Sequence, residues 1–313
     1  MRKQKLLITG ASGFVGQNIL NHIRNNFGNF DIYNCGRTAV LENGITNIKC
    51  NVEDFDFTSM DNDFDFIVHL LALSNNAYCT DFSYAQAVNI EFTKKILDFA
   101  CSQKKLKKII HLSSIITYNN SEKPPVQETA RQYLNYNTYS FTKGIAEHYA
   151  NYYYENLKLP TIIFRLSNIY GPYQKIPNSP FLIPSKITQA LNEGKIEVAN
   201  VLPKRDWIYS EDAAEAIVKS LHADFTGILN LGSGSRASIL EIMNILSDEL
   251  NVPFFNRNLP TSGPLDFYCD ISEIKKVLGW QPKTELREGL KKTIDYIKKQ
   301  QHKTHKPLDV FGG

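Results

Sequence analysis

An apolar run, Leu6-Leu7-Ile8, passes directly into the glycine-rich turn Thr9-Gly10-Ala11-Ser12-Gly13-Phe14-Val15-Gly16, and apolar residues then recur at Phe14, Val15, Ile19, Leu20 and Ile23. The first stretch reads as a buried strand. The last reads as an amphipathic helix, because its apolar positions share one face at helical spacing. Three glycines between strand and helix let the backbone approach whatever lies at the helix N-terminus, where unpaired N–H groups and the positive dipole end favour a phosphate. That is the setting a dinucleotide fingerprint requires.

Further apolar runs follow at Ile32 to Cys35, Ile48 to Val52, Phe66 to Leu73, Ile109 to Leu112 and Thr161 to Leu166, with helical segments between them. Short buried strands alternating with helices imply a parallel sheet covered on both faces. We therefore expect an α/β fold, a Rossmann-type doubly wound parallel sheet with its cofactor across the carboxyl ends of the strands. Beyond Tyr170-Gly171-Pro172 the alternation stops, and Pro177, Pro180, Pro184 and Pro203 punctuate shorter elements. This part reads as a smaller C-terminal substrate-binding domain. The expected division is residues 1–169 for the cofactor-binding domain, with a return segment at about 204–228, and residues 170–203 and 229–313 for the substrate-binding domain.

The 313 residues suffice for a large core, and a net charge of +3 gives no reason to expect nucleic acid or a membrane surface as partner. The basic runs Lys104-Lys105-Leu106-Lys107-Lys108 and Lys298 to Lys306 read as solvated faces. Met1-Arg2-Lys3-Gln4-Lys5 leads into too short an apolar run for a signal peptide or a membrane span. Five cysteines, Cys35, Cys50, Cys79, Cys101 and Cys269, show no paired metal spacing, so reduced thiols and a cytoplasmic location are expected. His302 and His305 lack the further ligands of a designed metal site, and no metal is expected.

Tyr139 and Lys143 stand four apart in a segment that reads as helix, so their side chains share a face. An ammonium beside a phenol stabilises the phenolate and should bring a pKa of about 10 toward working pH. With the glycine turn upstream and strands between, the chain resembles the extended short-chain dehydrogenases/reductases, the group of NAD(P)-dependent nucleotide-sugar epimerases, dehydratases and ketoreductases. The resemblance runs from the first strand to Leu278-Gly279-Trp280-Gln281-Pro282.

The resemblance implies a set of site residues. Gly10, Ser12, Gly13, Phe14, Val15 and Gly16 would cradle the cofactor pyrophosphate, Asn51 and Val52 would lie beside the adenine, and Leu71, Ala72 and Asn89 would complete the cofactor site. His69, in a fully apolar run, reads as a core histidine. In His111-Leu112-Ser113-Ser114-Ile115-Ile116-Thr117-Tyr118 the catalytic hydroxyl falls on Ser114, with Ser113 the nearest rival. Tyr139 would then transfer the proton, while Lys143 would hold the nicotinamide ribose and tune the tyrosine. Asn168 and Arg205 match the positions that contact a substrate diphosphate. The second diphosphate arginine of the family is missing from Ser262-Gly263-Pro264-Leu265-Asp266, with Arg257 as a substitute. A homodimer is implied as well.

Two departures shape the functional expectation. NAD enzymes carry an acid at the end of the second strand, whereas a 2′-phosphate requires a cation there. This chain has Gly36 followed by Arg37, which points to NADP(H). Family members that remove water from the sugar place an acid pair after the catalytic hydroxyl, where Ile115 and Ile116 stand in this sequence. The reading is therefore NADPH-dependent reduction of a nucleotide-linked 4-keto-6-deoxyhexose at C4, a 4-ketoreductase of deoxysugar biosynthesis. The alternative is a nucleotide-sugar 4-epimerase, and a non-catalytic NADP sensor on the same fold is a third reading that Ser114, Tyr139 and Lys143 argue against.

Overall fold

The computed structural model describes residues 2–26, 29–60, 63–176, 178–261 and 263–304. Pro177, Ser262, His305, Lys306 and the side chain of His302 lie outside that description.

The first half alternates as its apolar runs require. β1 (Gln4–Thr9) leads through the glycine turn into α1 (Phe14–Asn26), and β2 (Phe30–Gly36), β3 (Ile45–Lys49) and β4 (Phe66–His69) follow. Next come α2 (Phe82–Gln86), a π-helical turn at Ala87–Glu91, α3 (Phe92–Ser102), β5 (Lys108–Ser114), α4 (Thr138–Leu157) and β6 (Thr161–Leu166). The run Ile48 to Val52 does not itself form a strand, since β3 ends at Lys49 and Val52 turns its side chain into the core.

The second half is β7 (Asn168–Tyr170), α5 (Leu182–Glu193), β8 (Ile196–Val198), β9 (Lys204–Arg205), β10 (Trp207–Tyr209) and α6 (Ser210–Ser220). It continues with β11 (Gly227–Leu231), β12 (Ala237–Ser238), α7 (Ile239–Leu250), β13 (Phe254–Asn256), β14 (Asp266–Phe267), α8 (Ser272–Leu278) and α9 (Leu286–Thr304).

The main sheet has seven parallel strands in the order β11-β6-β5-β4-β1-β2-β3. Successive residues of a strand face opposite sides. Leu6, Ile8, Phe66, Val68 and Ile110 accordingly join one core with α1 and α6, while Leu7, Ile67, Ile109 and Ile163 join another with α3 and α4. Strand order reverses between β1 and β4, and a doubly wound sheet opens its binding crevice at such a point.

The division of the chain differs from the expected one. β11 closes the sheet, so the return segment reaches Leu231. Phe267, Cys269, Ile271, Ile274, Leu278 and Trp280 then pack in the same core as β1 and α6, although residues 229–313 were all expected in the second domain. The reason is apolar area: the β11 edge and α6 need cover, and α8 supplies it. A separate core forms from Ile183, Ile187, Ile242, Met243, Leu246, Leu290 and Ile294, on α5, α7 and α9.

One ion pair joins α4 to the sheet. Arg165 on β6 reaches Glu147 on α4 through Nη2 at 2.6 Å and Nε at 3.0 Å, and neither side chain is more than 5% exposed. Glu147 also accepts from Ser113 Oγ at 2.5 Å and from Gln132 Nε2 at 2.6 Å. Removing one partner of a buried pair strands the other charge. Arg165→Ala should therefore lower stability by about 3–5 kcal/mol in urea unfolding.

Candidate active site

The glycine turn is shaped by contacts that exclude a side chain. Gly10 has a φ of +76°, and a Cβ there would lie 3.3 Å from the Leu71 backbone. A Cβ on Gly16 would come within 2.5 Å of the Ala11 backbone. Gly13 donates to the Gly10 carbonyl at 3.0 Å, and α1 begins at the next residue. The first amides of α1 have no partner within their helix and point toward the strand ends. This backbone cradle fits a pyrophosphate, and the residues present are suited to a nicotinamide dinucleotide.

Across the crevice, Leu70 and Leu71 donate their backbone N–H groups to Thr9 Oγ1 at 3.2 and 3.3 Å, which ties the end of β4 to the end of β1. Leu71 and Ala72 are partly buried at that crossing, Asn51 is exposed at the end of β3, and Val52 is buried beside it. Ser12, Phe14 and Val15 are partly buried, and Gly13 between them is exposed. Arg37 is exposed just beyond β2. A Cβ on Gly36 would lie 3.8 Å from the Gly10 amide, so a carboxylate side chain at this position would stand over the glycine turn. This chain has none there.

Asn89 is buried within the π-helical turn and does not face the cleft. Its Oδ1 accepts from Leu73 N at 2.8 Å and its Nδ2 donates to Thr142 Oγ1 at 2.9 Å, one residue before Lys143. It therefore holds the loop after β4 against α4. His69 is a core histidine as read, bonded through Nδ1 to Thr9 Oγ1 and through Nε2 to Thr93 Oγ1. Burial, assisted by the Lys143 charge, pulls its pKa down to about 3.

Tyr139 is placed by the start of its helix. Asn137 caps α4, accepting from Ser140 N at 2.9 Å, and Ser140 Oγ accepts from Asn137 N at 3.1 Å. This reciprocal cap fixes the first turn on which Tyr139 sits. Ser114 ends β5, accepts from Ile116 N at 3.3 Å and hydrogen-bonds the Tyr139 phenol. Ser113 faces the other side of the sheet, where Glu147 takes its hydroxyl. Of the two serines, only Ser114 meets Tyr139.

One expectation fails in this structure. Lys143 does not bring the tyrosine toward neutral pH. Burial pushes Tyr139 up to about 12, the Ser114 hydrogen bond opposes the rise, and Lys143 instead donates Nζ to the Leu112 carbonyl at 2.6 Å. Lys143 is itself pulled down to about 8 by burial, against the opposing pull of the Glu147 carboxylate one helical turn away.

The two substrate candidates flank one peptide. Asn168 donates its backbone N–H and its Nδ2 to the Asp206 carbonyl at 3.1 and 2.9 Å, and Arg205 immediately precedes Asp206. Arg205 is partly buried, with Nη1 on the Lys204 carbonyl at 2.9 Å. Arg257 does not supply the missing second arginine, because it is exposed and paired with Glu197.

Sequence reasoning missed Asp206 and Glu147. The fully buried Asp206 carboxylate accepts from Ser167 Oγ, from Ser233 N and Oγ, and from Cys269 N, and so ties three chain segments together. Glu147 stands four residues after Lys143 and shares its helix face, a spacing that signals a charge beside the lysine.

Residues 6–232 match the NAD dependent epimerase/dehydratase family. The chain belongs to this family. It is an NAD(P)-dependent enzyme of the extended short-chain dehydrogenase/reductase type. Its relatives include an uncharacterised protein of Methanocaldococcus jannaschii, 27% identical over 95% of this chain and 97% of its own. The dTDP-D-glucose 4,6-dehydratase of Homo sapiens is 26% identical over 98% of this chain and 95% of its own. A trifunctional UDP-glucose 4,6-dehydratase/UDP-4-keto-6-deoxy-D-glucose 3,5-epimerase/UDP-4-keto-L-rhamnose-reductase of Arabidopsis thaliana is 27% identical over 94% of this chain, which spans only 47% of that protein. Among solved structures, the UDP-glucuronic acid 4-epimerase of Bacillus cereus, with NAD bound, superposes with a TM-score of 0.84 at 25% identity, covering 95% of this chain and all of that one (100%). Among the described residues no helix is long and apolar enough to cross a membrane.

The position of Lys143 sets a pH dependence. A lysine near pKa 8 carries its charge below that pH and loses it above, so kcat/KM should fall on the alkaline side with a midpoint of about 8. Lys143→Arg keeps its charge throughout, and in that variant the alkaline fall near pH 8 should disappear from whatever activity remains.

Proposed function

We propose that this family member carries out oxidation–reduction at C4 of a nucleotide-linked sugar, without elimination of water. The observation that carries this reading is the turn after Ser114. Ile115 and Ile116 follow the serine that bonds Tyr139, and neither side chain can carry a proton. A family that epimerises or dehydrates is left, in this chain, with chemistry that needs only a hydroxyl to orient the sugar oxygen and a phenol to move its proton.

Ser114 hydrogen-bonds the C4 oxygen and holds it beside Tyr139 in this reading. Tyr139, protonated at neutral pH in its buried setting, gives its proton to that oxygen when a carbonyl is reduced, and the phenolate so formed takes the proton back when a hydroxyl is oxidised. A cycle that begins with a hydroxyl needs Tyr139 as the phenolate, which the positive ring of a bound oxidised nicotinamide would favour. Lys143, beside the tyrosine on α4, holds the ribose next to the nicotinamide. The bound nicotinamide supplies the hydride exchange. Asn168 and Arg205 bind the substrate diphosphate, and the core on α5, α7 and α9 carries the sugar-specific surface.

Similarity to UDP-sugar 4-epimerases favours 4-epimerisation, in which the cofactor is restored at each turnover. Net reduction of a 4-keto-6-deoxy sugar is the second reading, favoured by Gly36 and Arg37, since a 2′-phosphate site suits a consumed NADPH. The two part on one experiment. Epimerisation interconverts 4-hydroxy UDP-, dTDP-, GDP- or CDP-sugars, followed by NMR, with no net change at the nicotinamide absorbance band. Reduction consumes one NADPH per 4-keto sugar and gives one C4 stereoisomer. Under either reading Tyr139→Phe should abolish turnover while keeping cofactor binding, and Ser114→Ala should slow it by roughly tenfold to a thousandfold. Near-normal turnover by the Tyr139 variant would remove the proton-transfer role.

The cofactor preference is a separate proposal. Arg37 offers a guanidinium where a 2′-phosphate would lie, so Arg37→Ala should weaken NADPH binding by about 1.5–3 kcal/mol and leave NADH nearly unchanged in isothermal titration. Tighter binding of NADH than NADPH by the unaltered protein would assign NAD instead.

A further inference from the structure

Arg37 sits on the turn between β2 and β3, and among the described residues no hydrogen bond or ion pair anchors its side chain. Arg37, Thr38 and Ala39 are all exposed. An exposed turn of this kind would pay an ordering cost each time it closed on a ligand, and the preference for one ligand over another would weaken accordingly.

Two asparagines remove that freedom. Asn34 and Asn47 stand opposite each other in the parallel register of β2 and β3, and Asn34 Nδ2 donates to Asn47 Oδ1 at 2.9 Å. Asn34 Nδ2 also donates to the Thr38 carbonyl at 3.1 Å. Asn47 grips the far end of the turn twice, accepting from Val40 N at 2.8 Å and donating Nδ2 to the Val40 carbonyl at 3.0 Å. The remaining acceptor, Asn34 Oδ1, takes the Ala11 amide at 3.2 Å. Beside it, Gly10 N donates to the Cys35 carbonyl at 2.8 Å. The Arg37 turn and the glycine turn are thus joined by one side-chain network.

Asn34 is 1% exposed, next to the buried Cys35 on β2. A buried amide is costly unless its donors and acceptors are matched, and here the matched groups are the backbone of two cofactor-facing turns.

We infer that Asn34 and Asn47 are positioning residues for cofactor discrimination: they lock the Arg37 turn to the glycine turn, so that the substituent on the 2′ position of the adenosine ribose is read at a fixed distance from the pyrophosphate. The inference deepens the cofactor reading above and rests on it. The bonds of the pair run to the two turns and to each other. The pair's effect therefore passes through Arg37.

Asn47 lies exposed on the edge strand β3, so Asn47→Ala leaves the core intact. The experiment is a double-mutant cycle on the full chain, with NADPH and NADH dissociation constants measured by titration for the unaltered protein, Asn47→Ala, Arg37→Ala and the double variant. Asn47→Ala should weaken NADPH about tenfold and NADH less than twofold, and it should have little further effect once Arg37 is gone. Asn47→Asp keeps the acceptor for Val40 N and Asn34 Nδ2 and should recover part of the loss. Equal weakening of both cofactors, or additive effects of the two substitutions, would overturn the positioning role. The unaltered protein's own preference judges the cofactor reading separately, because a preference for NADH would remove the 2′-phosphate assignment whatever the cycle gives.

Discussion

The buried carboxylate of Glu147 organises the ground on which the candidate site stands. It draws Arg165 of β6, Ser113 of β5 and Gln132 to one point beneath α4. Those contacts set the height and rotation of the helix over the sheet, and with them the positions of Tyr139 and Lys143 at its N-terminal end. The same carboxylate occupies one of two adjacent serines and leaves the other for the phenol. Its negative charge also keeps a buried lysine from losing its proton altogether. A buried group beneath α4 therefore decides which of the two hydroxyls is left for Tyr139 and how long the neighbouring ammonium persists as pH rises.

Much of the fold was legible because its signals are local. Leu6-Leu7-Ile8 and the glycines that follow prescribe a strand, a turn and a helix without reference to the rest of the chain, and Thr161 to Leu166 is read as a strand over the residues that form β6. The limits were set by packing across long sequence distances. Residues 267–280 carry no sign that they cover β11 and α6, because an apolar helix face does not specify the face it meets. Arg257 and Arg205 look alike in sequence, and only the placement of Glu197 separates an occupied surface arginine from a partly buried one.

The site shows the same split. Gly10, Gly16, Ser114 and Tyr139 were read from motifs whose spacing is dictated by backbone geometry, and in the structure Gly10 follows β1, Gly16 lies on α1, Ser114 ends β5 and Tyr139 lies in the first turn of α4. The electrostatic expectation for Lys143 fared worse. A four-residue spacing says that two side chains share a helix face, but not whether a carbonyl such as that of Leu112 claims the ammonium first. Burial then outweighs every pairwise effect on Tyr139, so the phenol keeps its proton. Asp206 was invisible for a related reason: its four donors come from segments that no sequence pattern connects.

The late arrival of β11 has a consequence for how such a protein is made. The strand pairs with β6, yet α5, β8 and the rest of the second core's opening elements are synthesised between the two. Until residues 227–231 emerge, β6 presents an open edge of unpaired backbone groups, and α6 has no partner for the face that α8 later covers. A nascent chain halted between these points holds the complete glycine turn and the Ser114–Tyr139 pair in an unfinished sheet prone to pairing with other chains. The cofactor half is first in sequence, but it is among the last parts to become a closed structure.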